Sequence, residues 1–280
     1  MTARDSVETL ATGYGLVEGL RVDAHGQLYF SDVVRGGVYR RSARGEIDTV
    51  VPKRRGVGGI VLHADGGVVV TGRNVCHVKG GHTRVLFEVE AAAFNDLVTD
   101  AAGRVYVGSL RSSAFSQAAE REPGELYRID AEGRGVALYE DVSLSNGVGL
   151  SPDGRILYHS DSGRNQILAH EVTREGGCRK RRVLATLPRG APDGLAVDAG
   201  GFVWVAAYGG GSVFRFAPDG SLDRHVEVPA RHVTTVSFGG DDRRDLYIAS
   251  ADNTDDEALA GSIFLTRAPL PGLEVALARI

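Results

Sequence analysis

The chain repeats one short unit six times, and this repeat restricts the fold more than any other feature. A tight polar turn runs directly into a strand of β-branched and aromatic residues. The copies are DAHGQLYFSD from Asp23, HADGGVVVTG from His63, DAAGRVYVGS from Asp100, SPDGRILYHS from Ser151, DAGGFVWVAA from Asp198 and GDDRRDLYIAS from Gly240. Gly26, Gly66, Gly103, Gly154 and Gly201 hold the same turn place, with Asp242 in the sixth copy. Most copies continue into a third strand, such as Val38-Tyr39-Arg40, Leu126-Tyr127-Arg128 or Val213-Phe214-Arg215, and some into a fourth, such as Thr49-Val50-Val51. Units of roughly 40 to 50 residues with four short strands are propeller blades. The chain therefore reads as all-β, a six-bladed β-propeller with four-stranded blades and an axial site, in one domain spanning residues 1–280. Val7-Glu8-Thr9-Leu10 is expected to supply the outer strand of the last blade and close the ring.

Composition narrows the function classes. Net charge is −4, so no face-wide attraction for nucleic acid or anionic lipid is expected. The basic run Arg179-Lys180-Arg181-Arg182 reads as a solvated hairpin tip. Cys76 and Cys178 form neither a CxxC pair nor a disulfide framework. The opening residues MTARDSVETLATG lack an apolar signal core, and no segment approaches a membrane span, so a cytoplasmic location is expected.

A register argument locates the candidate site. Eight residues before each of the six turn positions stand Glu18, Gly58, Asn95, Asn146, Asp193 and Thr234. The first strand of a propeller blade lines the central channel, so a constant offset places these residues at one height around the axis. Four carry oxygen ligands. Gly19, Gly59, Gly147 and Gly194 follow ring positions, as a crowded axis requires. Carboxylates in a partly dry channel are costly unless compensated. A hard divalent cation provides that compensation, and Asp193 is then a metal ligand or a catalytic group on the axis. Strand capping and an all-protein axial network are the competing readings.

At these residues the chain resembles the SMP-30/gluconolactonase/LRE family of calcium- or zinc-dependent six-bladed propellers. The matching stretches include VEGLRVDAHGQLYFSD, FNDLVTDAAGRVYVGS, SNGVGLSPDGRILYHSDS and PDGLAVDAGGFVWVAAYGGGSVFRF. The resemblance implies Glu18, Asn146 and Asp193 as ligands of one divalent ion: calcium first, with zinc, magnesium and manganese also compatible. It implies Asp193 as general base, Asn95 beside the metal touching substrate or water, and Glu120 as a substrate-contacting loop residue. The expected activity is hydrolysis of a lactone, or another small ester, to a hydroxy acid. Sugar-lactone hydrolases of this family usually carry Arg two residues before the Asn-Asp pair, where this chain has Ala93. Together with Leu110 and Phe115, Ala93 points to a substrate less polar than a sugar lactone. A metal-dependent phosphotriesterase or esterase-like propeller and a non-catalytic binding propeller remain as alternatives.

Other features carry less. No G-x-S-x-G elbow occurs. Residues 252–257 read as a solvated acidic loop. His159 and His232 lie near channel strands, with a structural role expected for each. Trp204 is expected to pack between blades and Tyr208 to face the pocket. The sequence carries no signal for oligomeric state.

Overall fold

The computed structural model describes residues 6–113, 121–252, 257–274 and 276–280. Its strands form six antiparallel four-stranded sheets arranged as blades, and among the described residues the helical content is two single-turn 3-10 segments. The innermost strands, in blade order, are Val17–Val22, Ile60–Leu62, Ala93–Thr99, Ser145–Leu150, Ala191–Val197 and Val233–Gly239. The strand Glu8–Ala11 pairs with Ile263–Arg267 through Glu8 opposite Leu265 and Thr9 opposite Phe264, so the N-terminal strand does complete the last blade.

Apolar residues alternate on the blade faces and pack against the next blade. Trp204 of blade 5 is buried against Phe238 of blade 6, edge to face at 6.1 Å. Its indole Nε1 donates to Asp198 Oδ2 at 3.0 Å, so the polar atom of this inter-blade anchor is satisfied. The basic run lies along the exposed outer strand Cys178–Ala185 rather than at the hairpin tip, and Arg179 and Lys180 pair with Glu171.

Near the axis the blades approach too closely for side chains on some strands. A Cβ on Gly147 would stand 2.4 Å from the Leu195 amide nitrogen, and one on Gly194 would stand 2.2 Å from Thr235 Oγ1. These glycines are needed for inter-blade contact.

Residues 268–274 and 276–280 lie across the far end of the channel. Ala199 N donates to Pro271 O at 2.8 Å, and Leu273 N to Val197 O at 3.4 Å. Further along, Ala278 N donates to Leu62 O at 2.8 Å and Arg279 N to Gly103 O at 2.9 Å. The segment thus straps blades 5 and 6 to blades 2 and 3, and it buries Ala278 and Ile280 in the core between blades 2 and 3.

Candidate functional site

The inner strands are bulged at the ring. Pairing shifts between Glu18 and Arg21, Phe94 and Leu97, Ser145 and Val148, Pro192 and Leu195, and Val233 and Thr235. A bulge breaks the strict in-out alternation of a strand and re-aims a side chain. Here it turns Glu18, Asn95, Asn146 and Asp193 into one cavity of about 710 Å³ at the channel mouth. The other two ring positions serve it indirectly. A Cβ on Gly58 would sit 1.9 Å from Asn95 Oδ1, so the glycine makes room for that amide. Thr234 Oγ1 donates to Val17 O at 2.5 Å and ties the last blade to the first.

The two amides are held in a directed chain. Asn95 Nδ2 donates to Ser145 O at 2.9 Å and to Asn146 Oδ1 at 3.2 Å. Asn146 Nδ2 donates to Ser162 Oγ at 3.2 Å, and that hydroxyl donates to Pro192 O at 2.5 Å. The carboxylates are less well supplied. Glu18 and Asp193 are only 7% and 5% exposed, and Asp193 Oδ1 has no hydrogen-bond partner among the described residues.

A third acid, Asp96, was not picked out by the register. It is 8% exposed and accepts from Leu97 N at 2.8 Å and from Val148 N at 3.4 Å. Burial raises its pKa to about 6, opposed by the Arg21 guanidinium. Burial also pushes Glu18 well above the usual carboxylate range, with Asp193 and Asp96 adding to the rise. Asp193 is raised by burial and by Asp96, against the Gly194 amide and Asn146. Three acids thus strain one small volume, with the half-buried Arg21 the guanidinium that offsets Asp96.

This donor chemistry fits a hard cation. Carboxylate and amide oxygens from Glu18, Asn146 and Asp193 suit calcium, magnesium or manganese better than the nitrogen- and sulfur-rich sets typical of zinc. The unpartnered Asp193 Oδ1 is the atom such an ion would satisfy. Among the described residues no group of three or more His, Cys, Asp and Glu side chains is arranged to hold a metal, so the fit depends on the amide of Asn146.

Ala93 and Tyr208 line the same cavity, whereas Glu120 and Phe115 lie outside the described residues. Ala91, Ala92, Ala93, Leu110 and Leu144 make one wall apolar. Tyr208 is 39% exposed and packs on His232, ring centroids 4.7 Å apart. His159 of blade 4 is buried against blade 3, between Tyr139 Oη at 2.7 Å and Ser145 Oγ at 2.8 Å, and burial lowers its pKa to about 3. It is structural. The sequence reading also missed Arg73, Arg111 and Arg121, which line the cavity from loops and strand ends outside the axial register. Arg111 is engaged with Glu125 at 2.6 Å and with Glu90 O at 3.0 Å, and Arg121 donates to Ser113 O at 2.8 Å.

Six blades closed by the N-terminal strand, with buried acids and amides at one mouth of the channel, define an axial-site propeller. The chain belongs to the SMP-30/Gluconolactonase/LRE-like family, whose conserved region matches residues 16–252. It is 35% identical over 263 residues to 6-deoxy-6-sulfogluconolactonase of Pseudomonas putida, covering 88% of each chain. It is 28% identical over 238 residues to pentonolactonase XacC of Haloferax volcanii, covering 82% of this chain and 79% of that one. The crystal structure of regucalcin from Agrobacterium tumefaciens superposes with a TM-score of 0.87 at 24% identity, over 99% of this chain and 98% of that one. That likeness concerns the fold. Among the described residues no helix is long and apolar enough to cross a membrane.

Proposed function

We propose that this chain is a divalent-metal-dependent lactonase that opens a cyclic ester to a hydroxy acid. The observation that carries the reading is the pairing of buried Glu18 and Asp193, one Asp193 oxygen unpartnered, inside a cavity that also receives Asn95 and Asn146. Two relatives over most of the chain are named for lactone hydrolysis, which supports the reaction class.

A cation held by Glu18, Asn146 and Asp193 would polarise the lactone carbonyl and offset the charge of its developing oxyanion. Asp193 accepts a proton from the attacking water as the new C–O bond forms. The ring C–O bond then breaks, and the proton passes from Asp193 to the departing ring oxygen. One water is consumed and one hydroxy acid is released. Asn95, fixed by Ser145 O and Asn146 Oδ1, orients the substrate or the attacking water. Tyr208 and Ala93 border the substrate, and we assign Glu120 to the same role from the family resemblance.

Ala91, Ala92, Ala93 and Leu110 accept a hydrocarbon edge, so the part of the substrate that lies on them is less polar than the matching edge of a fully hydroxylated sugar lactone. Calcium is the first candidate ion, and the substrate is a free small molecule. The test is a proton-release assay over alkyl, aryl and sugar lactones, an aryl ester and a phosphotriester. Protein stripped of metal and then resupplied with single ions is compared with the untreated sample. Lactone turnover that vanishes on stripping and returns with calcium, magnesium or manganese is expected. Turnover unchanged in protein verified to be metal-free sinks the metal assignment, and preference for the phosphotriester sinks the lactone assignment.

A further inference from the structure

We propose that Arg73 is a specificity-determining residue that binds an anionic substituent of the substrate, from the blade next to the one that lacks the family's arginine. This rests on the lactonase reading above and names the substrate class: a lactone bearing a sulfonate, phosphate or carboxylate group away from the reacting carbonyl.

The argument is one of backbone pairing. Gly72 and Phe94 form an isolated antiparallel bridge between blades 2 and 3, with Phe94 N donating to Gly72 O at 2.7 Å and Gly72 N to Phe94 O at 3.2 Å. In an antiparallel pair, the residue after Gly72 lies opposite the residue before Phe94. Arg73 therefore stands across from Ala93, and both line the 710 Å³ cavity. The guanidinium missing at position 93 is supplied one strand away.

The loop that presents it is anchored. Arg54 Nε donates to Thr71 O at 3.2 Å, and its Nη2 reaches Asn74 O at 2.9 Å and Asn74 Oδ1 at 2.8 Å. Thr71 Oγ1 accepts from Gly59 N at 2.8 Å. Gly72 itself has φ +120°, a conformation that L side chains rarely adopt, so the turn into Arg73 is built for glycine. Two arginines of the same cavity differ sharply in state. Arg111 spends its fork on Glu125, whereas Arg73 is exposed and has no hydrogen-bond or ion-pair partner among the described residues. A planar guanidinium matches a carboxylate, sulfonate or phosphate through two parallel hydrogen bonds, which a lysine or a neutral side chain cannot reproduce.

The experiment compares two lactones of the same ring, one neutral and one carrying the anion, for wild type, Arg73→Met, Arg73→Lys and the double variant Arg73→Met/Ala93→Arg. Sulfonate, phosphate and carboxylate versions of the anionic lactone identify which oxyanion is preferred. Wild type should favour the anionic lactone by about tenfold or more in kcat/KM, the scale of one charged hydrogen-bonded contact. Arg73→Met should erase most of that preference, chiefly through KM, and change the neutral substrate by less than about threefold. Arg73→Lys should fall between the two, and Ala93→Arg should restore part of the loss. Equal losses on both substrates, or no loss on either, overturn the proposal. Titration calorimetry with the ring-opened anionic acid reads Arg73 without turnover. A tenfold weaker binding in Arg73→Met supports the assignment, and unchanged binding overturns it. Absence of hydrolysis of any lactone by wild type counts against the lactonase reading alone.

Discussion

The two ends of the central channel are built from the same six strands and differ in size and in what they hold. At the mouth, where the strands begin, Glu18, Asn95, Asn146 and Asp193 line the cavity, and a buried carboxylate oxygen lacks a partner among the described residues. At the far end the same strands contribute Val98, Val148, Leu195 and Phe238 together with Arg21, Thr99 and Ser237 around a cavity of only about 110 Å³, which Leu273, Glu274 and Ala276 also line. One end is a wide cavity holding electrostatically strained acids, and the other is a small cavity of mixed polar and apolar lining crossed by the C-terminal segment. The bulges mark the boundary, since beyond them regular pairing resumes. The difference teaches that binding and stability are separated along the axis of one sheet system, so substitutions at the two ends should fail in different ways.

The largest effect is expected at the mouth. Asp193→Ala removes both charge and ligand and should lower kcat/KM by about a thousandfold or more, roughly 4 kcal/mol of transition-state stabilisation, with loss of bound cation. Asp193→Asn should retain more cation than rate, because it keeps an oxygen donor without a base. Metal content and rate measured on the same samples check this, and equal retention of both removes the base assignment.

At the strapped end, Ala278→Asp places a carboxylate in the fully buried core between blades 2 and 3. A cost of about 2–4 kcal/mol in unfolding free energy is expected. The folded fraction should keep a near wild-type kcat. A large fall in kcat at unchanged stability would break the separation of the two ends. The smallest effect on stability is expected from chelation, which leaves Glu18, Asp193 and Asp96 repelling one another and removes the stabilisation that comes from binding the native state alone. A loss of about 1–3 kcal/mol, or a few degrees in Tm, should appear in thermal scans at matched ionic strength. No shift in protein verified to have lost its ion would mean that the acids at the mouth are compensated by the protein itself.

The sequence disclosed what repeats. Turn glycines at blade intervals revealed the propeller, and a constant offset from them found Glu18, Asn95, Asn146 and Asp193 without reference to any contact. The closing strand was legible because the last blade otherwise lacked its outer member. What broke the repeat stayed hidden. Asp96 is next in sequence to Asn95, and a regular strand would send it to the opposite face. The bulge between Phe94 and Leu97 brings it within electrostatic reach of Glu18 and Asp193, and bulges leave no periodic trace. Arg73 belongs to a loop and acquires its meaning from the cross-blade pairing of Gly72 with Phe94. The strap carries a Pro271-Gly272 turn signal but copies no blade unit, and its backbone pairs with blade edges piecemeal. Ala93 lines the cavity, but the charge lining it from Arg73 could not be seen along one strand.

Ring closure has a kinetic consequence. The strand Glu8–Ala11 finds its partner Ile263–Arg267 only after nearly the whole chain is available, and Thr234 then bonds to Val17 beside Glu18. Contacts between such distant segments are slow to form, because the intervening loop must be closed before any of them rewards it. Glu18 comes from the first blade and Asp193 from the fifth, so partly folded species with an open ring hold the two carboxylates apart. Cation uptake during refolding should therefore lag behind blade formation and coincide with the final, slowest phase, making the bound ion a reporter of topological completion.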